Sequence, residues 1–342
     1  MAKKRVVYII NAAPNYRDKF LRELGKYVDL TVVSFSGVPY NLKDPVYREN
    51  YKYIELKRKE LFSITWNIEE FTKASGEFDI IMLGFILRNP FRLINVFRNK
   101  PVILEGLIYG KNNNIITKIL RKFWMLRVQG VIVYSEYVKK QLMKETKKPI
   151  ISFNNTSFYQ DEIVPLEINR DFTKLNIIWV GRYQKRKKLE RLIELGRINN
   201  GIQIRIIGPG IIDNLQKLNV SDNVQLFDQL YDEDIETHYK WAHVVFNPGH
   251  VGLLVMSAAK YGRPIIIDKT SKHAPEIQLA VDAEQILIDF SDYKDVNKLI
   301  TDFINNPNKV ENLGIRLNEE MRKNWTIENM VSKYMLAING KW

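Results

Sequence analysis

Residues 177–195 read IIWVGRYQKRKKLERLIEL, and residues 246–267 read FNPGHVGLLVMSAAKYGRPIII. Each begins as a short β-branched run suited to a buried strand, turns at glycine and passes into an amphipathic, helix-like segment. In the first, the strand ends at Gly181, a short basic loop follows, and a helix opens over 189–195. In the second, a strand over 243–246 runs into Asn247, Pro248 and Gly249, Gly252 opens a helix, and Gly262 and Pro264 end it before the next strand. The same alternation continues outward. Strands are expected at 6–10, 30–34, 79–83, 101–104 and 131–134, then at 176–180, 203–207, 224–227, 243–246 and 264–267, with helices such as 15–27 and 137–145 between them. Two such series predict an α/β chain of two doubly wound parallel sheets, each Rossmann-like. Periodicity lapses over 165–174, so the expected domains are 1–168 and 169–325, with 326–342 a C-terminal helix packing back toward the first. Two domains of this kind, facing each other, make a cleft at the carboxyl ends of their strands, where ligands bind.

The residues at those strand ends point to a phosphate-bearing ligand. Arg182 and Lys187, separated by a tight loop, could reach one diphosphate and neutralise charge growing on a leaving nucleotide. A solvated basic loop ahead of a helix would read the same way. Glycines at a strand-to-helix turn let backbone amides approach a phosphate, which the positive end of the helix also attracts. Gly and Pro punctuate ordinary connections too. On the donor side the reading nominates Gly181, Pro248, Gly249, His250, Val251, Gly252 and Leu253, with Ser257 one turn inside the helix.

The 342 residues are 45% hydrophobic and 27% charged, enough for two cores of ordinary size. Cysteine is absent, which excludes disulfides, thiolate metal sites and a cysteine nucleophile. No apolar run approaches the roughly 18 to 20 residues of a membrane-spanning helix. The opening MAKKRVVYIINAAPNYRDKF has a basic flank and a short apolar run, but Asn11 and the charges from Arg17 onward favour a first strand over a leader, and a cytoplasmic protein is expected. Net charge is +13 and uneven: residues 1–165 hold 28 Lys and Arg against 16 Asp and Glu, whereas the remainder holds 24 against 23. That field attracts phospholipid headgroups, lipid-linked diphosphates or nucleic acid, and a lysine-rich coding bias would also produce it. IITKILRKFWMLR, residues 115–127, puts Ile116, Ile119, Leu120, Phe123 and Trp124 toward one helix face and Lys118, Arg121 and Lys122 largely on others. It suits either a lipid interface or a core helix with a wet basic face. Asp232-Glu233-Asp234 spells the D-x-D of metal-diphosphate sites, but it precedes the amphipathic IETHYKWA, so Asp232 or Asp234 is expected as an N-cap and no metal is expected.

Gly181, Arg182, Lys187 and Leu192-Ile193-Glu194, then Pro248, Gly252, Ala258, Gly262, Pro264 and the Pro275-Glu276 turn, resemble the retaining GT-B glycosyltransferases of glycosyltransferase family four. The similarity extends to VIVYSEYVKKQL, Asn154-Asn155-Thr156 and NWTIENMVSKYMLAI, and so to nearly the whole chain. It implies a GT-B fold and transfer with retention from a UDP- or GDP-sugar, without metal or cofactor. The implied acceptor is a glycan or polyprenyl-diphosphate-linked glycan held by the first domain, in cell-surface polysaccharide biosynthesis. The family's two glutamates, eight positions apart, fall here at Gly249 and Ser257, and the shortened Pro248–Gly252 loop is similar to that of a polysaccharide-assembly subgroup. Many relatives place a histidine near the sugar in the first domain, yet His238, His243, His250 and His273 all lie in the second. Glu105, ending its strand ahead of Gly106, is best placed to take over part of that role, the alternative being a strand-end carboxylate in water. After the first strand, Arg17 is expected at the donor phosphates and Tyr16 at the acceptor. The missing glutamates leave open a degenerate protein that binds a sugar nucleotide without turning it over. A nucleic-acid-binding protein would explain the charge but not the glycine turn, and no recognition motif appears, so nucleic acid is not an expected partner. Docking on an anionic membrane surface is.

Overall fold

The computed structural model describes residues 2–35, 48–62, 64–86, 88–106, 115–168, 171–230 and 232–342. The chain divides into two compact units, Met1–Ser157 with Thr326–Trp342, and Phe158–Trp325. The first is built on seven parallel strands, β1 (Arg5–Ile9), β2 (Asp29–Phe35), β3 (Lys52–Leu56), β4 (Ile80–Gly84), β5 (Val102–Gly106), β6 (Gly130–Val133) and β7 (Ile150–Ser152). Their order is β3-β2-β1-β4-β5-β6-β7. Helix α1 (Asn15–Gly25) follows β1, and α2 (Ile115–Met125) lies between β5 and β6. Central strands such as β5 and β6 are buried along their whole length. Both faces of a parallel sheet are covered, which explains continuous apolar runs in place of alternation.

The second unit repeats the plan with β8 (Leu175–Val180), β9 (Ile202–Ile207), β10 (Val224–Phe227), β11 (Val244–Asn247), β12 (Ile265–Asp268) and β13 (Leu287–Ile288), all parallel, in the order β10-β9-β8-β11-β12-β13. Around this sheet are α3 (Glu190–Ile198), α4 (Asp232–Trp241), α5 (Leu254–Lys260) and α6 (Pro307–Asn324). The chain then returns to the first unit as α7 (Ile327–Ile338), capped by the Thr326 hydroxyl, which accepts from the Asn329 amide at 3.2 Å. Tyr334 of α7 packs its ring 4.6 Å from that of Phe20 in α1.

Strand β8 has β9 on one side and β11 on the other, so connections leaving β8 and β11 diverge from a topological switch point. The loops after these two strands are the two stretches quoted at the outset. Open parallel sheets take their ligands in the crevice at such a point.

The structure adjusts several sequence expectations. The first helix stops at Gly25, two residues early, because the amides of Lys26 and Tyr27 turn back onto the Glu23 and Leu24 carbonyls to enter β2. Strand β5 continues past residue 104, so Glu105 lies within it. Strands β3, β7 and β13 were not anticipated; each is a sheet edge, short or half-exposed, where burial imposes little pattern. Asp232-Glu233-Asp234 forms the first turn of α4, so Asp234 is not an N-cap, and the side chain of Asp232 lies outside the described residues.

The largest change concerns α2. Its inward side is Arg121, Trp124 and Met125, with Trp124 fully buried edge-on to Phe85, ring centroids 5.2 Å apart. Arg121 is buried as well and pairs with Glu145 at 2.8 Å. The helix has two apolar sides, and Ile116, Ile119, Leu120 and Phe123 occupy the exposed one. Among the described residues no helix is long and apolar enough to cross a membrane.

Candidate active site

The site in the second unit starts from strand-end geometry. The Gly181 amide donates to Ile207 O at 2.9 Å, extending the β8–β9 pairing by one residue, and the Tyr183 amide donates to Pro209 O at 3.0 Å. A single 3-10 turn, Lys185–Lys187, then leads through Lys188 in the left-handed region (φ 52°) toward α3. On the neighbouring strand, Asn247 is fully buried: it accepts from Trp179 Nε1 at 3.3 Å and donates to Gly249 O at 2.6 Å, folding the chain back on itself.

These two loops are stitched together. The His250 amide donates to Arg186 O at 3.0 Å, Lys187 Nζ to His250 O at 2.8 Å, and Arg191 Nη1 to Pro248 O at 3.1 Å. Gly249 is where the backbones meet. A Cβ there would sit 2.5 Å from Lys187 O and 2.6 Å from Arg186 O, so only glycine permits the approach. A Cβ on Gly252 would meet nothing within 4 Å. It would point into open space beside the first turn of α5, where the Val255 and Met256 amides turn back onto the Gly252 and Leu253 carbonyls.

Beneath the loops lies Asp268, fully buried at the end of β12. Its Oδ2 meets Lys188 Nζ at 3.3 Å and Arg191 Nη1 at 3.1 Å, and it accepts from the Thr270 and Ser271 hydroxyls. Burial pushes its carboxyl up, but the hydrogen bonds from Ser271, Thr270 and Lys188, with the charge of Arg191, outweigh that and hold it below the usual carboxylate range. The Asp268 carbonyl meets His273 Nε2 at 2.8 Å, while His273 Nδ1 faces the Val251 amide at 3.1 Å. Those partners require Nδ1 as acceptor and Nε2 as donor, a neutral ring that holds Val251 in place.

The electrostatics favour an incoming anion. Burial, then the positive charges of Arg186 and Arg182, push the Lys187 amine down to about 8, with Glu276 opposing. His250 is pushed down to about 4, first by burial and then by Arg186, Lys187 and His273, while its Nδ1 is held 2.7 Å from Lys272 O. It is neutral at pH 7. A phosphate brought beside Lys187 would relieve the repulsion among these cations.

Of the residues nominated from the sequence, the structure gathers Gly181, Lys187, Pro248, Gly249, His250, Val251, Gly252 and Leu253 at or beside this one strand-end junction, with Arg182 exposed on the first loop. Ser257 is half-buried one turn into α5. In the first unit, Arg17 and Glu105 are brought to each other. Arg17 Nη2 pairs with Glu105 Oε1 at 2.9 Å, both side chains being under a tenth exposed. Arg17 also donates to the hydroxyls of Tyr8 at 2.7 Å and Tyr134 at 2.8 Å, and the Tyr334 hydroxyl lies 3.2 Å from Glu105 Oε1. Desolvation works against the charge on Arg17, yet the surrounding tyrosines and Glu105 hold its pKa well above the ordinary value. Glu105 is therefore not the strand-end carboxylate in water that the alternative reading supposed. Tyr16, the preceding residue, is exposed.

Sequence reasoning missed Asp268 and the loop Gly208-Pro209-Gly210. A Cβ on Gly208, with φ +141°, would lie 2.2 Å from Gly181 O, so this loop packs directly against the end of β8. Its sequence IIGPG is another apolar run ending in glycine, a signal of the same kind as those read; Asp268-Lys269-Thr270-Ser271 has no comparable mark. Among the described residues no cluster of three or more His, Asp or Glu side chains is arranged to hold a metal ion.

In Rossmann-like units, the switch point and the glycine turns beside it are where phosphate-bearing ligands bind as a class. Residues 162–320 of the chain match the family model of glycosyl transferases group 1. The whole chain has the GT-B architecture. It superposes on a glycosyltransferase from Rickettsia africae ESF-5 with a TM-score of 0.74 at 13% identity, covering 98% of both chains. Sucrose-phosphate synthase from Thermosynechococcus elongatus gives 0.72 at 14%, again with 98% of both covered. Anabaena HepE in complex with UDP-glucose gives 0.69 at 9%, covering 98% of this chain and 99% of that one. At these identities the likeness is one of fold. No curated protein matches in sequence. The group 1 domain and the GT-B fold together support a glycosyltransferase.

Proposed function

We propose that the protein transfers a sugar from a UDP- or GDP-linked donor to a glycan or polyprenyl-diphosphate-linked glycan, with retention, as a family-four enzyme of cell-surface polysaccharide assembly working at the cytoplasmic face of the membrane. The observation that supports this reading is the stitched pair of loops, with Lys187 Nζ on the His250 carbonyl and open space beside Gly252. HepE, one of the structural neighbours, was solved with UDP-glucose. In the reaction, the acceptor hydroxyl attacks the anomeric carbon on the face the nucleotide leaves. The carbon–oxygen bond to the diphosphate breaks, and the departing diphosphate takes the acceptor's proton. Arg182, Lys187 and the amides near Gly252 stabilise the leaving group, a charge role that needs no metal and no organic cofactor. Gly181, Pro248, Gly249, Val251 and Leu253 shape the donor pocket, and Ser257 and His250 lie toward the ribose and sugar. Tyr16 belongs to the acceptor side. Glu105 takes over part of the role of the first-domain histidine beside the sugar, and Arg17, its ion-pair partner, lies toward the donor phosphates.

The test is a panel of UDP- and GDP-sugars scored for protection against unfolding and for product, with and without EDTA. Turnover of one donor that survives EDTA supports the reading, and activity that EDTA abolishes and Mn²⁺ restores refutes its metal-free part. A second reading rests on Gly249 and Ser257 standing where the family has glutamates. Under it the protein binds the sugar nucleotide without turnover, and saturable binding with no product across acceptors would favour it.

A further inference from the structure

Helix α2 is anchored through Trp124, Met125 and the Arg121–Glu145 pair, so the orientation of its outer side is set by the core. That outer side is not polar. Ile115 is 71% exposed, Ile116 62%, Ile119 61%, Leu126 59% and Phe123 43%. The Phe123 ring reaches Phe97, centroids 5.4 Å apart, and Ile94 one turn earlier is also exposed, so the apolar surface continues across two elements. A monomeric soluble surface seldom leaves such a contiguous patch bare.

The charge around the patch is mostly positive, although Asp79 acts on Lys100 and Glu145 pairs with Arg121. Lys118 and Lys122 are exposed on α2 itself. Phe97 also lines a recess with Arg98, Lys100 and Arg127. From residue 88 to 130 the chain carries a single carboxylate, Glu105, and that one is buried against Arg17. Isoleucine, leucine and phenylalanine side by side with an excess of lysine and arginine are what an interfacial helix presents: hydrocarbon for the acyl boundary and cations for phosphate headgroups. Nucleic acid would answer the charge but offers no hydrocarbon to cover Ile116 and Ile119.

We propose that this face of the first unit, the outer side of α2 with the Arg98, Lys100 and Arg127 recess beside it, docks on an anionic phospholipid bilayer. Apolar side chains enter the interface, and the recess takes a lipid phosphate. Docking is a property of the surface alone and stands whether or not the second unit turns over a sugar nucleotide.

The experiment is co-sedimentation of the full chain with phosphatidylglycerol or phosphatidylcholine vesicles at low and high salt. Two variants are compared, Ile116→Ser with Ile119→Ser, and Lys118→Ser with Lys122→Ser and Arg127→Ser. All five side chains lie outside the core, and unchanged thermal unfolding verifies the fold. The parent is expected to bind phosphatidylglycerol, to prefer it to phosphatidylcholine and to release in high salt. The apolar variant should bind at least about tenfold more weakly. The charge variant should lose roughly a hundredfold, about fivefold per cation, and with it the lipid preference. A parent that ignores phosphatidylglycerol at low salt overturns the proposal, as does a folded apolar variant that binds as well as the parent. A parent that dimerises in solution through this face, shown by dissociation of the apolar variant in sedimentation velocity, and fails to bind vesicles assigns the patch to a second copy of the chain and overturns it too.

Discussion

Alanine at Gly249 and at Gly252 should have opposite signatures, although the two glycines are three residues apart in one turn. The Cβ of Gly249→Ala would lie 2.5 Å from Lys187 O and 2.6 Å from Arg186 O, both backbone atoms that cannot rotate away. The loops must separate, and with them go the His250 amide to Arg186 O, Lys187 Nζ to His250 O and Arg191 to Pro248 O bonds. Overpacking costs about 1–3 kcal/mol and each of the three lost hydrogen bonds about 1 kcal/mol, so a loss of roughly 4–6 kcal/mol is expected. At about 2–4 °C per kcal/mol for a unit of this size, Tm should fall by about 8–24 °C. Gly252→Ala meets nothing within 4 Å and should leave stability within about 0.5 kcal/mol of the parent. If that open space receives the diphosphate, however, the added methyl should weaken donor binding about tenfold or more. The assay is paired: differential scanning calorimetry for stability and calorimetric titration with UDP and GDP for binding. A Gly249→Ala protein with parental Tm would refute the stitched-loop geometry. A Gly252→Ala protein with parental nucleotide affinity would refute the placement of the donor.

Three further outcomes follow from the same geometry. Arg182→Ala and Lys187→Ala should each cut turnover by roughly 10² or more while unfolding stays cooperative, and near-normal rates in both would dismiss the leaving-group role. Because the Lys187 amine sits at about 8 in the free protein and an adjacent diphosphate must raise it, donor affinity should be full below pH 8 and decline as pH rises through that value. Lys187→Arg, which stays charged, should flatten the decline, and a parental affinity constant from pH 7 to 9.5 would contradict the contact. Glu105→Ala leaves the buried Arg17 charge without its partner and should cost about 3–5 kcal/mol in urea unfolding, whereas Arg17→Met with Glu105→Leu should recover much of it. Parental stability in Glu105→Ala would show the pair to be solvated.

The inner strands and both glycine turns were legible in the sequence because their signals are local. A parallel strand covered on both faces must be an unbroken apolar run, as in IIWV and VVF, and a backbone approach as close as that at Gly249 tolerates no side chain. Strand order at the switch point, and so the meeting of the 182–188 and 247–252 loops, was implied once two βαβ series were recognised. Side-chain partnership was not. Arg17 was read as a donor contact and Glu105 as its own candidate, yet 88 positions apart in sequence they share one buried pair. Arg121 looked like a surface cation until Glu145, 24 residues on, claimed it. Periodicity gave α2 an apolar stripe, but with Trp124 and Met125 on one side and Ile116 and Ile119 on another, only the packing of Trp124 against Phe85 decides which side the core takes. Asp268 was invisible for the same reason: its importance comes from Lys188, Arg191 and His273, which converge on it from separate segments. The sequence by itself determined the alternation of elements and where backbone must come close, since those constraints act over a few residues. The tertiary structure alone decided which charges are buried together and which apolar face is left to water, because those depend on contacts between segments that no local pattern records.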